Sequence, residues 1–195
     1  FSEGFNAGGA STVDGFVNNA TSRILIPYDP EEIQTYEIGV RSDLADGRVR
    51  LNATLFHTDW EDIQLRSNYV NPSIGLYAIT IITQNVAGAD ADGLEAEVTW
   101  LATDNLQLNL NIGLLDTAYS TFKQGADTPV NSGDAFAQAP ELTYSIGLQH
   151  TTSLSGGGGL VARLDYSYVS GFQRYADPKY HPDYLGLTGL LGEYE

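Results

Sequence analysis

Three histidines, His57, His150 and His181, are the side chains of this chain best suited to a transition metal. They lie far apart and show no paired spacing, whereas such a site needs clustered ligands, so no metal is assigned. Glu95 and Glu97 stand two apart, which on a strand places both on one face about 7 Å from each other. A calcium or acid–base pair could be built that way. The general polarity of the same face instead reads as the lining of a wet surface. The stretch DADGLE, residues 90–95, superficially resembles a calcium loop, but lacks the third ligand and the distal Glu. Residues 155–159 are Gly-rich without the Lys-Ser/Thr of a phosphate loop. Ser120 and Lys123 spell S-x-x-K with no supporting partners. Nothing assembles a nucleophile, a base and an oxyanion site, so neither an enzyme nor a cofactor is expected.

What remains is chemistry of recognition, and it depends on what holds it. Composition narrows the choice. The 195 residues carry a net charge of -16, which argues against binding nucleic acid or an anionic lipid surface through a basic patch. Charged residues make up 17%, below the roughly 25% of soluble domains. With no Cys, a disulfide frame and a thiolate metal site are both impossible. The chain starts at Phe1 and contains no Met, so a piece of a longer protein is expected. No apolar run approaches the length of a membrane helix.

The elements are written in period two. Residues 34–43, 48–67, 76–101, 105–122, 141–154 and 160–172 alternate apolar with polar side chains, as strands do. Leu106, Leu108, Leu110, Ile112 and Leu114, for instance, are interleaved with Gln107, Asn109, Asn111 and Gly113. The breaks at 44–47, 102–104 and 155–159 are tight and rich in Gly, Asp and Asn. Those at 6–32, 68–75, 123–140 and 173–183 are longer and polar. This alternation predicts an all-β, antiparallel, up-and-down transmembrane barrel, with short turns at one rim and long loops at the other. The piece contains six strands and parts of two more, about 7–8 strands of a larger closed barrel.

The segment GRVRLNATLFHTDWEDIQLRS, residues 47–67, supports this reading. Its apolar row, Val49, Leu51, Ala53 and Leu55, gives way to His57, Asp59 and Glu61 without any Gly or Pro. A strand needs only about 9–11 residues to cross the hydrocarbon, and above it the outward row has no apolar obligation. Soluble strands are mostly about 5–6 residues, so segments this long favour the membrane. The opposite rows then line a lumen, among them Arg50, Asn52, Glu95, Glu97, Asn109, Asn111, Arg163 and Asp165. Trp100 and Tyr36, Tyr144, Tyr166 and Tyr168 fit interfacial girdles. The glycosylation sequons at Asn19 and Asn52 mean little in a bacterial envelope protein.

Several phrases together resemble the barrel of TonB-dependent receptors. In YDPEEIQTYEIGVRSDLADGRVRLNATLFHTDWEDIQ, residues 28–64, the positions Pro30, Glu31, Tyr36, Glu37, Gly39, Arg41, Leu51, Ala53 and Phe56 fill a P-E-x-x-x-x-Y-E-x-G-x-K/R strand and its partner. NVAGADADGLEAEVTW supplies Asn85, Ala89, Gly93, Leu94 and Glu95, with Ala87 where Gly is usual. SEGFNAGG at 2–9 and AQAPELTYSIG at 137–147 follow in family order. The likeness covers about residues 1–172. It implies a 22-stranded barrel around an N-terminal plug, with residues 1–195 as one partial barrel domain. The plug, and the segment that meets a TonB-type energy-coupling protein, are not in this sequence, and the chain reads as truncated at both ends. The implied setting is the outer membrane, with lipid around the wall. The implied activity is energised uptake of a scarce ligand, by default an iron-siderophore chelate; haem, cobalamin and oligosaccharide are family alternatives. A passive porin would share the strand pattern. Ligand contacts are expected in the long loops, at Tyr69, Asn71, Gln124, Asp127, Asn131, Arg174 and Tyr175. Arg174 with Tyr175 ranks first, since a guanidinium fork suits an anionic group and Tyr adds a flat amphipathic contact.

Overall fold

The computed structural model describes residues 1–17, 20–70, 79–122 and 130–174. Nine strands run through them: β1 (Ser2–Asn6), β2 (Gly9–Val17), β3 (Ala20–Tyr28), β4 (Glu31–Leu44), β5 (Val49–Val70), β6 (Ile79–Thr103), β7 (Leu106–Phe122), β8 (Leu142–Ser153) and β9 (Gly159–Val169). Seven of them form one antiparallel sheet in the order β1-β4-β5-β6-β7-β8-β9, and β2 pairs only with β3. The period-two segments all became strands, and neighbours in sequence became neighbours in the sheet.

Two expectations need correction. The break expected at 6–32 contains the β2–β3 hairpin. Its Gly8, Gly9, Gly15 and Pro27 imitate a loop composition, but the two segments pair with each other, and Val13 is buried. The second correction is length. β5 has 22 residues and β6 has 25, so Asn68 and Tyr69 lie in a strand rather than in a loop. Tyr69 is therefore held by the sheet ladder opposite Thr80. Asn71, Gln124, Asp127 and Tyr175 lie outside the described residues.

Register sorts the side chains onto two faces, because directly opposed residues of an antiparallel pair share a face. One row runs Leu44–Val49–Trp100–Leu108–Leu148–Leu164, and the next Ser42–Leu51–Val98–Leu110–Ile146–Tyr166. Above them come Val40–Ala53–Ala96–Ile112–Tyr144–Tyr168 and then Ile38–Leu55–Leu94–Leu114–Leu142. No charged residue interrupts these rows. Ile38 is 74% and Leu164 68% exposed, so none of the described residues covers this face at these points. An exposed apolar surface of this extent needs an apolar partner. The tight turn that begins the pattern has Ala45, Asp46 and Gly47 at positive φ, which matches the right-handed twist of a hairpin. Among the described residues the buried apolar ones are few. Ile63, Ala87, Ala89, Tyr119 and Val130 cluster at the far end of the sheet from that turn, with Trp60, Leu65 and Phe136 packed on them.

Candidate functional site

The face opposite the apolar rows is polar. Asn52, Glu97, Asn111, Ser145 and Ser167 form one cross-strand line. Arg50, Thr99, Asn109, Gly147 and Asp165 form the next. All eight residues expected in the lumen thus share one face. They satisfy one another in small groups. The Asn52 amide donates to Glu97 at 3.3 Å, and Asn111 to the Ser145 hydroxyl at 3.0 Å. Arg50 pairs with Asp43 at 2.9 Å, and Arg163 holds Asp165 through both Nε and Nη2. Asn52, Glu95, Glu97 and Asn111 border a concavity of about 480 Å³.

The same face turns aromatic at the long-loop end. The contact between the hydroxyls of Thr35 and Thr58 marks the face. Glu31 and Trp60 continue it on their strands. Glu31 is buried, and its carboxylate accepts from Trp60 Nε1 at 3.2 Å and from the Gln64 N–H at 2.9 Å. Tyr119 stands opposite Ala89, which stands opposite Trp60. The segment after residue 130 folds back onto this wall. Gly133 donates to the Tyr119 carbonyl at 2.8 Å, and Tyr119 donates to the Asp134 carbonyl at 3.0 Å. The Phe136 N–H donates to Thr117 Oγ1, and the Phe136 ring packs on Tyr119 (5.0 Å between centroids) and Trp60 (6.0 Å). Burial by this segment pushes the Tyr119 phenol up from its ordinary value, and the Asp134 carboxylate adds to that. A cavity of about 530 Å³ opens between the wall and the segment, lined by Glu31, Trp60, Gln64, Arg66, Tyr119 and Phe136 among others. Aromatic surface and a few convergent polar groups are the usual makings of a small-molecule site.

Two of the loop residues expected to bind ligand fall in this region. Asn131 is exposed, and both its backbone N–H and its side-chain amide donate to Asp134 Oδ2, at 2.7 and 3.1 Å. Its side chain shapes the turn. Arg174 is exposed, one residue after Gln173, whose carbonyl accepts from the Gln138 N–H at 2.7 Å. Arg174 is thereby placed beside the folded-back segment. Trp60, Tyr119 and Phe136 were not singled out from the sequence. Their signal was present in the bare fact that Trp60 and Tyr119 occupy the polar register.

The apolar face also changes character at this end. Above Leu55 and Leu94 the outward row holds His57 and Asp92, then Asp59 and Asp90. A ligand atom of His57, of Asp59 and of Asp90 lie within 4.8 Å of one another, a grouping that histidine spacing alone could not reveal. His57 already has partners there, with Nδ1 at 2.9 Å from Asp92 and Nε2 at 3.6 Å from Asp59. The bond to Asp92 raises the His57 pKa above its ordinary value, against the opposing effect of desolvation and with further help from the charges of Asp92, Asp59 and Asp90. The group is complete as an ion-paired surface cluster.

A two-faced antiparallel wall with this register has known counterparts. The family model "TonB dependent receptor-like, beta-barrel" matches residues 1–188. The chain belongs to this family. The TonB-dependent receptor-like barrels are receptors and transporters, and their place is the outer membrane. The chain is 29% identical over 114 residues to the probable TonB-dependent siderophore receptor PiuA of Acinetobacter baumannii, an alignment covering 58% of this chain and 13% of that protein. Its fold matches the ferric yersiniabactin uptake receptor FyuA from Yersinia pestis with a TM-score of 0.63 at 20% identity, over 90% of this chain and 23% of FyuA. The copper transporter OprC matches with a TM-score of 0.50 at 19% identity, over 73% of this chain and 18% of OprC. The chain therefore spans less than a quarter of the length of these relatives. The expected TonB-dependent receptor barrel and its outer-membrane setting both hold. An exposed apolar face of this kind is what an outer-membrane barrel wall turns to lipid.

Proposed function

We propose that the chain is a wall segment of an outer-membrane receptor that takes up a scarce ligand, by default a ferric siderophore, with energy supplied from the inner membrane. The observation that carries this reading is the division of a family-matched wall into an unbroken apolar face and a polar face that ends in an aromatic pocket. In this reading Arg50, Asn52, Glu95, Glu97, Asn109, Asn111, Arg163 and Asp165 line the lumen. The turn at Ala45–Gly47 faces the periplasm, and the end bearing Phe136 and Arg174 faces outward. That polarity is the rule in outer-membrane barrels, whose short turns are periplasmic.

Capture takes place at the outward end, where loops on a rigid wall can vary freely. The ligand-binding residues are Arg174 with Tyr175, supported by Tyr69, Asn71, Gln124, Asp127 and Asn131. The position of Arg174 beside the 130–140 segment supports this placement. Energy coupling is proposed to act through a plug and a TonB-type partner, as the family resemblance implies.

The test is uptake of radiolabelled ferric siderophores, one hydroxamate and one catecholate, by cells with and without the complete receptor. Receptor-dependent uptake that stops when a protonophore collapses the proton gradient supports the reading. Uptake insensitive to the protonophore would make the protein a passive channel.

A further inference from the structure

β5 and β6 bring four ligand-type side chains to one small patch of the outward face. His57 stands directly opposite Asp92, and Asp59 directly opposite Asp90. Residues two apart on a strand share a face about 7 Å from each other, and opposed residues bring their Cβ atoms to about 5 Å. The four therefore take the corners of a rectangle whose centre each side chain can reach. One ligand atom each from His57, Asp59 and Asp90 already falls within 4.8 Å of the others. The patch begins one row above Leu55 and Leu94, beyond the apolar rows and on the face away from the lumen lining.

The imidazole is aimed at this centre. Its Nδ1 lies 2.9 Å from Asp92 Oδ1. An ionised carboxylate only accepts, so Nδ1 carries a proton and donates it. That leaves Nε2 to turn toward Asp59, whose Oδ2 is 3.6 Å away, farther than a hydrogen bond reaches. A neutral imidazole in this pose points its Nε2 lone pair at a carboxylate, with Asp90 beside it, which only a positive charge between them makes favourable. Among the described residues no Lys or Arg pairs with Asp59, Asp90 or Asp92. A proton on Nε2 supplies the charge in the ion-paired form. A divalent metal supplies twice that charge and takes the lone pair in the proton's place. A carboxylate on Nδ1–H with Nε2 turned inward is the usual posture of a ligating histidine. Neighbouring donors around a tetrahedral ion with bonds of about 2.0–2.2 Å stand about 3.4 Å apart. The 3.6 Å between His57 Nε2 and Asp59 Oδ2 is already close to that.

We propose that His57, Asp59 and Asp90 bind one divalent cation of the zinc type on the outward face, with Asp92 orienting the imidazole and solvent completing the coordination. One nitrogen with carboxylate oxygens suits such a borderline ion, whereas Mg²⁺ and Ca²⁺ favour all-oxygen shells. Donors from two strands make the ion a clamp across the β5–β6 ladder, just before β5 shifts register at Trp60/Ile63. The site faces away from the lumen, so it is no stop on the path of a transported ligand. It stands on register and donor geometry alone, and its failure would leave the uptake reading untouched.

The probe is Zn²⁺ alone, titrated calorimetrically into the complete, chelator-stripped receptor in nanodiscs of zwitterionic lipid. Each variant is first shown to run as a folded barrel on unheated gels. His57→Ala, and His57→Gln which keeps more of the bulk, should each bind one Zn²⁺ fewer than the wild type. Asp59→Asn and Asp90→Asn should weaken that site at least about tenfold, since even the loss of a group behind a ligand does as much. Asp59→His should keep the site, because a second imidazole replaces the lost donor although a negative charge is gone. His150→Ala should change nothing. A Zn²⁺ stoichiometry unmoved by both His57 variants would overturn the proposal. So would displacement of the ion by equimolar Ca²⁺, or an Asp59→His variant as weak as Asp59→Asn, since the patch would then gather only a cloud of counterions.

Discussion

Gly93→Ala is expected to destabilise the wall, and the magnitude can be worked out from a single contact. Gly93 pairs with Phe56 on β5 and Leu115 on β7, and the tip of the Phe56 ring reaches over it. A Cβ built on Gly93 would overlap Phe56 Cζ and Cε1. Backbone conformation does not demand the glycine, because its φ lies outside the left-handed region; space does. Forcing a methyl group under a packed ring costs about 1–3 kcal/mol. Removing the conformational freedom of Gly returns about 0.5–1 kcal/mol. The net loss is therefore about 0–2.5 kcal/mol. Phe56→Ala alone should cost about 1–2 kcal/mol, below the 3–5 kcal/mol of a fully buried ring, since Phe56 is half-buried. In the Phe56→Ala background the clash disappears and Gly93→Ala should become neutral or mildly stabilising, a coupling of about 1–3 kcal/mol between the sites. The assay is reversible urea unfolding of the complete receptor in lipid vesicles, run on the wild type, both single variants and the double variant. Additive effects would mean that Phe56 does not cover Gly93, and the reasoning from close approach would be wrong.

Other consequences follow from the two faces and the rim assignment. Leu110 stands between Val98 and Ile146 in the middle of the β7 apolar row. Leu110→Arg should cost about 2–4 kcal/mol, the effect of a charge near the bilayer midplane; Asn109→Arg, on the polar face opposite Gly147 and near Asp165, should fold almost normally in the same assay. Cysteine labelling of intact cells should reach Ser132→Cys and not Asp46→Cys, and equal labelling would refute the rim assignment. Nuclear magnetic resonance titration should find the His57 pKa raised above its ordinary value, with Asp92→Asn lowering it. A raised folded-state pKa means that the ion pair contributes stability in acid and loses it as pH rises through that pKa. A His57 pKa unmoved by Asp92→Asn would deny the pairing.

The sequence carried the wall and hid the joints. Leu106 to Leu114 could be assigned to a face by period alone, because one apolar side must meet lipid along the whole crossing. The resemblance also pointed to residues whose work only register makes visible. Glu31 accepts from Trp60 and Gln64, Asn85 ties Asp29 to Asp62, and Gly93 makes room for Phe56. The β2–β3 hairpin reads as a loop because Gly9, Gly15 and Pro27 mimic turn chemistry and no sustained alternation marks it, although Val13 is buried. The grouping of His57 with Asp59 and Asp90 is invisible in the sequence because one of the three comes from another strand. Tyr69 reads as a loop residue because the polar residues around it, Ser67, Asn68 and Asn71, imitate a turn, although β5 runs on to Val70.

The central claim is that one face of this sheet meets lipid and the other a wet lumen. Nitroxide scanning of β7 from Leu106 to Leu114 in the complete, lipid-reconstituted receptor tests it most directly. Oxygen, which partitions into lipid, should reach labels at positions 106, 108, 110, 112 and 114 best, and a water-soluble nickel chelate those at 107, 109, 111 and 113. Accessibilities without a period of two, or with the two reagents in phase, would contradict the account.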